Sequence, residues 1–212
     1  LRGTLVLPNK DVAEFCYRMV DDPDGVKREA EALCAGAIER AHRYADIGAD
    51  GVDEFGDYCF NSGCFFTPAQ FQEFVAPYLG RIGEAVKETG MWFLKHQCGN
   101  VLPILENLLK CSKMDALQGL QPVGKTSITA AKKLVCDRLC LMGNVDCGLL
   151  IEGPKERIAE DTMRALREGS HGGGFVLMSS CAISFDVPLS HYMAMHDAWK
   201  SFCKEAKRKH KH

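Results

Sequence analysis

Three side chains in two distant stretches of the sequence suit a single metal ion: His96, Cys98 and Cys181. Each stretch follows a short apolar run that is typical of a β-strand, residues 91–94 and residues 174–178. In a parallel α/β fold, both loops would open at the carboxyl end of the sheet, where such folds place their active sites. An imidazole and two thiolates suit zinc, and three protein ligands leave its fourth position open, as in catalytic sites. The two stretches therefore predict one catalytic zinc centre.

Other interpretations of these residues stay open. A His-X-Cys pair occurs by chance in many chains, so without Cys181 a buried structural role would explain His96 and Cys98 better. Cys59 and Cys64, in the loop after the first predicted strand, are rival ligands that we expect to have no role in metal binding.

The elements that must position these residues alternate between strand patterns and helix patterns. Short apolar runs predict strands at residues 51–55, 91–96, 115–120, 138–143 and 174–178. Helical periodicity and capping residues predict helices at residues 26–47, 67–89, 101–110, 127–135, 153–169 and 188–204. Five such βα units imply a parallel sheet with helices outside it.

Two architectures accommodate this α/β pattern. A chain of 212 residues fits a doubly wound sheet of five or six strands better than a (β/α)8 barrel, which needs about 250 residues. No Gly-rich dinucleotide-binding loop follows a strand, because the glycines at residues 172–174 precede one. Length alone therefore favours the doubly wound sheet.

Polar residues also follow other predicted strands. Asp57 suits a general base, a partner for a zinc-bound histidine, or a plain loop carboxylate. Gly143, Asn144 and Asp146 suit either a turn that binds an anion or substrate, or simply a turn that ends a strand. We expect catalytic roles for Asp57 and Asn144, and cofactor binding by Gly143, Asn144 and Asp146.

The composition excludes several classes of function. The net charge of -2 gives no electrostatic case for nucleic acid as a partner. No apolar run approaches the roughly 20 residues that span a bilayer, and no signal peptide is visible. Eleven scattered cysteines indicate the reducing cytosol of an anaerobe rather than a secreted protein built on disulfides. We expect a cytoplasmic protein with one domain over residues 1–203 and a basic tail or tag at residues 204–212.

Four stretches of the sequence resemble the uroporphyrinogen decarboxylase superfamily, and their order and spacing agree over about residues 22–202. They are GADGVDEFGD at residues 48–57, the helix signature at residues 67–90, KHQCGN at residues 95–100, and residues 141–183. The resemblance implies a (β/α)8 TIM barrel, of which this chain would cover roughly the last five βα units. Members of the superfamily are longer, and their amino-terminal strands have no counterpart here.

The ligand pattern indicates which branch of the superfamily is most similar. Uroporphyrinogen decarboxylases use no metal, whereas corrinoid-dependent methyltransferases carry a His-X-Cys pair and a distant Cys as zinc ligands, which His96, Cys98 and Cys181 match. The resemblance thus implies zinc-dependent methyl transfer between a corrinoid, carried by a partner protein or bound as a free cobamide, and a small thiol or methylated substrate. Asp57 would orient the substrate or a ligand. A metal-free tetrapyrrole decarboxylase and an inactive or partner-binding partial barrel remain as alternatives.

Overall fold

The computed structural model describes residues 1–4 and 12–209, and a five-stranded parallel sheet lies at the centre of this part of the chain. The strands are β1 (Gly51–Phe55), β2 (Cys59–Phe60), β3 (Gly63–Cys64), β4 (Trp92–Gln97), β5 (Ala116–Gly119), β6 (Cys140–Val145) and β7 (Phe175–Ser179). The sheet has the order β1-β4-β5-β6-β7, and β2 and β3 form a separate antiparallel hairpin.

Helices follow most of the strands and form a continuous row. They are α1 (Val12–Asp21), α2 (Pro23–Asp46), α3 (Pro68–Phe74), α4 (Ala76–Glu88), α5 (Leu105–Cys111), α6 (Ile128–Val135), α7 (Cys147–Glu152), α8 (Lys155–Ser170) and α9 (Leu189–Lys209). Helix α2 contacts α4, and the contacts continue from α4 to α5, α6, α8 and α9 in that order. None of the helices in the described residues combines the length and the apolar character needed to cross a membrane.

The strand order decides between the two predicted architectures. Successive parallel strands are neighbours throughout, without the reversal of direction that defines a doubly wound sheet. Sequential order with the helices in one row is the arrangement of a (β/α)8 barrel. The preference that chain length gave for a doubly wound sheet is therefore wrong, and the five predicted strands are all present in the parallel sheet.

The register gives the sheet two different faces. One row of paired residues crosses the sheet under the helices; its first four members are fully buried and its fifth is partly buried: Glu54, Lys95, Leu117, Leu141 and Phe175. The next row points to the opposite face, because side chains alternate along a strand. It contains Phe55, His96, Gln118, Met142 and Val176, of which Phe55 and Val176 are each 45% exposed. This second, more open face carries His96.

The predicted helix over residues 67–89 is two helices. Thr67 forms the expected capping box with Gln70 and begins α3, but the helix stops at Phe74 and α4 starts at Ala76. Pro77 lies in the first turn of α4, where its missing N–H is tolerated; inside a continuous helix it would remove a hydrogen bond and clash with the preceding turn. The proline therefore sets the break.

Two other segments differ from the sequence-based predictions. The loop after β1 contains the hairpin of β2 and β3, and α7 follows directly after β6. The stretch predicted as a strand-ending turn is thus divided, since Asn144 lies inside β6 and Asp146 caps α7. The proposed basic tail begins as part of α9, which continues to Lys209, and residues 210–212 lie outside the described residues.

Candidate metal centre

The three predicted ligands meet at the carboxyl end of the sheet. His96 is near the end of β4, Cys98 follows that strand, and Cys181 follows β7. The His96 Nε2 atom lies 3.1 Å from the Cys98 Sγ atom, which lies 3.6 Å from the Cys181 Sγ atom. The three donor atoms all lie within 4.8 Å of one another. The fold thus brings together residues that are far apart in sequence.

The distances fit a tetrahedral zinc ion. With Zn–S bonds of about 2.3 Å and Zn–N bonds of about 2.0 Å, two sulfurs lie roughly 3.8 Å apart and a nitrogen–sulfur pair about 3.5 Å. The observed separations are 3.6 Å between the Sγ atoms and 3.1 Å between His96 Nε2 and Cys98 Sγ. These two separations are within about half an ångström of the tetrahedral values, and the third pair lies within the 4.8 Å that contains all three donors.

The two ligand thiols differ in acidity. The hydrogen bond with Cys181 and burial raise the pKa of the Cys98 thiol above its ordinary value. The hydrogen bonds from Cys98 and His96 lower the pKa of Cys181 to about 4. Of the two thiols, Cys181 is therefore the one whose surroundings favour the thiolate, which is the form that binds a metal ion.

Asp57 and two residues after β5 hold the loop that carries Cys98. The Cys98 backbone N–H donates to Asp57 Oδ1 at 2.7 Å, and the Gly99 N–H donates to Gln121 Oε1 at 3.0 Å. The Thr126 hydroxyl donates to the Gly99 carbonyl at 3.0 Å. Asp57 Oδ1 also lies 4.0 Å from His96 Nε2. The structure thus places Asp57 beside the ligands, and its catalytic role stays a prediction.

Gln118 is a contact of the centre that the sequence analysis missed. It pairs with His96 in the register of β4 and β5, and its side-chain amide lies 3.0 Å from His96 Nδ1. When Nε2 binds a metal, Nδ1 carries the proton, and the amide oxygen can accept it after a half-turn of the amide group. No local pattern in the sequence marks this glutamine, because it faces His96 only through the register of β4 and β5.

Replacing Gln118 by Leu is expected to weaken zinc binding by about 10- to 100-fold, because the imidazole loses the partner that orients it. Gln118→Glu, which keeps an acceptor for the Nδ1 proton, is expected to retain most of the affinity. Competition with a chromophoric chelator measures both. Equal affinity in the parent protein and Gln118→Leu would contradict a role for the amide.

The family model described as Uroporphyrinogen decarboxylase (URO-D) matches residues 4–202. The chain belongs to the uroporphyrinogen decarboxylase family. The uroporphyrinogen decarboxylase of Coxiella burnetii (strain RSA 493 / Nine Mile phase I) is 27% identical over 190 residues, which cover 87% of this chain and 49% of the relative. That of Pseudoalteromonas atlantica is 25% identical over 183 residues, covering 84% and 48%. The chain spans about half the length of these curated relatives.

A solved structure supports the family's fold. The chain is similar to a methyltransferase from Methanosarcina mazei, with a TM-score of 0.75 and 24% identity, over 91% of this chain and 54% of that protein. The similarity confirms the predicted (β/α)8 barrel, of which the five βα units of this chain form a part. In a barrel of this family, the face that carries His96 and Gln118 is the interior.

The predicted cofactor-binding residues of this family member are engaged within the protein. Asn144 is buried, donates from Nδ2 to the Leu120 carbonyl at 2.8 Å, and accepts at Oδ1 from Arg164 at 3.1 Å. Asp146 accepts from the Leu149 N–H at 3.1 Å as the N-cap of α7. A Cβ at Gly143 would come within 2.8 Å of the Gly119 carbonyl oxygen. These contacts join β5, β6 and α8, and roles in catalysis or cofactor binding stay predictions.

Cys147 is a third thiol near the candidate centre, also missed by the sequence analysis. The Cys181 backbone N–H donates to Cys147 Sγ at 3.1 Å, and the Cys147 thiol lies 3.5 Å from the Cys181 carbonyl oxygen. Cys147 therefore holds the backbone of Cys181, a candidate ligand. It comes directly after the stretch of residues 143–146 that the analysis singled out, and its position after β6 is the signal that was available.

The rival ligands Cys59 and Cys64 contact each other instead. They are paired across the hairpin of β2 and β3, with their Sγ atoms 3.1 Å apart. The metal-binding group found in the described residues contains His96, Cys98 and Cys181, and neither hairpin cysteine.

Replacing both hairpin cysteines by serine is expected to leave the metal content unchanged, because neither sulfur belongs to the group of converging donors. Elemental analysis of the double variant beside the parent protein measures this. Loss of metal from the variant would show that the ligand set is misassigned.

Proposed function

We propose that this protein takes part in zinc-dependent methyl transfer between a corrinoid and a small thiol or methylated substrate. The observation that carries the proposal is the convergence of His96, Cys98 and Cys181 at the carboxyl end of the sheet. Three such donors fit zinc and leave its fourth position for a substrate. The corrinoid is part of the proposal because this ligand pattern resembles that of corrinoid-dependent methyltransferases.

The residues of the chain would divide the work at this site. His96, Cys98 and Cys181 would hold the zinc ion, which when bound supplies a Lewis acid that keeps a substrate thiol ionised at neutral pH. Gln118 would hold the His96 ring, and Asp57 would hold the backbone of Cys98 in place. Gln118 and Asp57 would thus keep two of the three donors in position while a substrate enters.

A cavity beside Cys181 suits the substrate. It has a volume of about 430 Å³ and lies on the open face of the sheet between β1, β5, β7 and α9. Its walls include Phe55, Leu177, Met178 and Tyr192, with Gln118 and Cys181 as polar members. Such a pocket, lined largely by apolar side chains beside a proposed zinc ligand, would suit a small, partly apolar thiol or methylated compound.

A second candidate function comes from the names of the curated relatives. The relatives from Coxiella burnetii and Pseudoalteromonas atlantica are both uroporphyrinogen decarboxylases, at 27% and 25% identity. A metal-free decarboxylation is therefore the alternative activity. Because the chain spans about half of these relatives, the corrinoid partner and the substrate are proposals.

The proposal is tested by incubating the zinc-loaded protein with methylcobalamin and a series of small thiols, and by following the loss of the methyl–cobalt absorption. Thiol-dependent demethylation that disappears in Cys98→Ala and persists in Cys140→Ala supports it, because Cys140 lies on the same sheet but outside the donor group. Equal rates in parent and Cys98→Ala would reject it. Decarboxylation of uroporphyrinogen by metal-free protein would establish the alternative.

A further inference from the structure

The hairpin of β2 and β3 places two thiols directly opposite each other. Cys59 pairs with Cys64 in the register, and the Phe65 N–H donates to the Tyr58 carbonyl at 2.9 Å just beyond them. Since hydrogen-bonded and non-hydrogen-bonded pairs alternate in an antiparallel ladder, Cys59 and Cys64 occupy a non-hydrogen-bonded pair. The Cα atoms of such pairs are about 4.5 Å apart, within the range of about 4.4–6.8 Å that a disulfide spans.

The surrounding contacts hold the two sulfurs in this arrangement. The Asn100 N–H donates to the Phe60 carbonyl at 2.8 Å, and the rings of Phe60 and Phe65 lie 4.2 Å apart, edge to face. The Sγ atoms of Cys59 and Cys64 are already 3.1 Å apart. A bond of about 2.05 Å needs the sulfurs to approach by roughly one ångström, which side-chain rotation can provide without moving the strands.

We propose that Cys59 and Cys64 form a reversible dithiol–disulfide site, separate from the metal centre, that reacts with disulfide-class oxidants. The Cys64 thiolate attacks one sulfur of the oxidant RSSR, forming a mixed disulfide and releasing RS⁻. The Cys59 thiol then loses its proton to solvent, and its sulfur attacks the Cys64 sulfur and releases the second RS⁻. Two protein thiols are oxidised, and one disulfide is reduced to two thiols.

The two cysteines are suited to different parts of this exchange. Cys59 is 4% exposed, whereas Cys64 is half-buried and reachable from the hairpin surface. The hydrogen bond between them lowers the pKa of Cys64 and, with burial, raises the pKa of Cys59. Cys64 therefore meets the oxidant first, and Cys59 resolves the mixed disulfide from the protected side.

The sequence permits a direct test by mass spectrometry. Trypsin cleaves after Arg43 and Arg81 and finds no Lys or Arg between them, so peptide 44–81 carries Cys59 and Cys64 and no other cysteine. The protein is equilibrated with mixtures of reduced and oxidised glutathione, and its free thiols are alkylated. After digestion, the mass of peptide 44–81 is measured. We expect peptide 44–81 to become unalkylated and two hydrogen atoms lighter as the oxidised fraction rises, and to return to two alkylated thiols with dithiothreitol.

Cys16 supplies the matched control, because its thiol donates to the Phe65 carbonyl at 3.4 Å and lies beside the hairpin. In Cys16→Ser, the internal disulfide of peptide 44–81 is expected to form over the same range of glutathione ratios. Three results would overturn the proposal: both thiols staying reduced, stable glutathione adducts on Cys59 or Cys64, or a link from Cys64 to Cys16 in the parent protein.

Discussion

Protein purified without added metal is expected to contain close to one zinc ion per chain, and Cys98→Ala and Cys181→Ala are each expected to lose it. Either substitution leaves two protein donors, fewer than the three that a catalytic zinc site keeps. The two residues come from loops that follow different strands. Loss of zinc from both variants would therefore show that the two loops contribute to one metal site. Mass spectrometry of the elements, normalised to protein concentration, measures the content directly.

Cys140→Ala is the control for this experiment. Cys140 is a half-buried cysteine at the amino end of β6, opposite to the end that carries the metal centre, and its thiol contacts the Leu141 carbonyl. The Cys140→Ala substitution should therefore weaken local packing but leave the zinc content unchanged. A parent protein without zinc, or zinc retained in both ligand variants, would remove the basis for methyl transfer and favour the metal-free alternative.

Replacing Lys95 by Met is expected to destabilise the fold by about 3–5 kcal/mol, because it leaves the buried Glu54 carboxylate without its partner. Both side chains are fully buried, and Lys95 Nζ lies 2.9 Å from Glu54 Oε2. Lys95 also donates to the carbonyls of Gly56 at 2.7 Å and His96 at 2.6 Å, and sits 4.5 Å from the centre of the Tyr58 ring. The ammonium group therefore joins β1 to the backbone of His96, a proposed zinc ligand.

Urea unfolding monitored by circular dichroism tests this expectation. The double variant Glu54→Met with Lys95→Met should recover part of the loss, because two apolar groups leave no uncompensated charge. Lys110→Met is the control: its ion pair with Glu106 spans 3.9 Å on the surface, with Lys110 68% exposed, and such pairs contribute at most about 1 kcal/mol. A loss in Lys95→Met no larger than in Lys110→Met would contradict the importance of the buried pair.

The strands and the shared position of the ligands could be predicted from sequence because local patterns determine both. Each strand is a short apolar run before a polar loop, and parallel strands present those loops at one edge. His96, Cys98 and Cys181 therefore converge for topological reasons. The choice of barrel could not come from length, because the chain is only part of one; it came from the resemblance and from the sequential strand order.

The remaining features depend on contacts that no local pattern reveals. Gln118 faces His96 only through the register of β4 and β5, and a lone glutamine in a short strand gives no sign of its partner. Asn144 resembles a turn residue in sequence, but its amide is satisfied by Leu120 and Arg164 from neighbouring elements. The hairpin was missed because two-residue strands are too short to show an alternating pattern.

The anchoring of the loop at residues 98–100 bears on the entropic cost of the proposed metal binding. Asp57, Gln121, Thr126 and the hairpin carbonyl of Phe60 all bond this loop, and a Cβ on Gly124 would come within 2.6 Å of the Gly99 carbonyl carbon. The loop is thus ordered by its own contacts, so little chain entropy would be lost when it bound the proposed zinc ion. In the proposed zinc site, such preorganisation would strengthen binding by lowering its entropic cost, and a substitution that loosened the loop would weaken it.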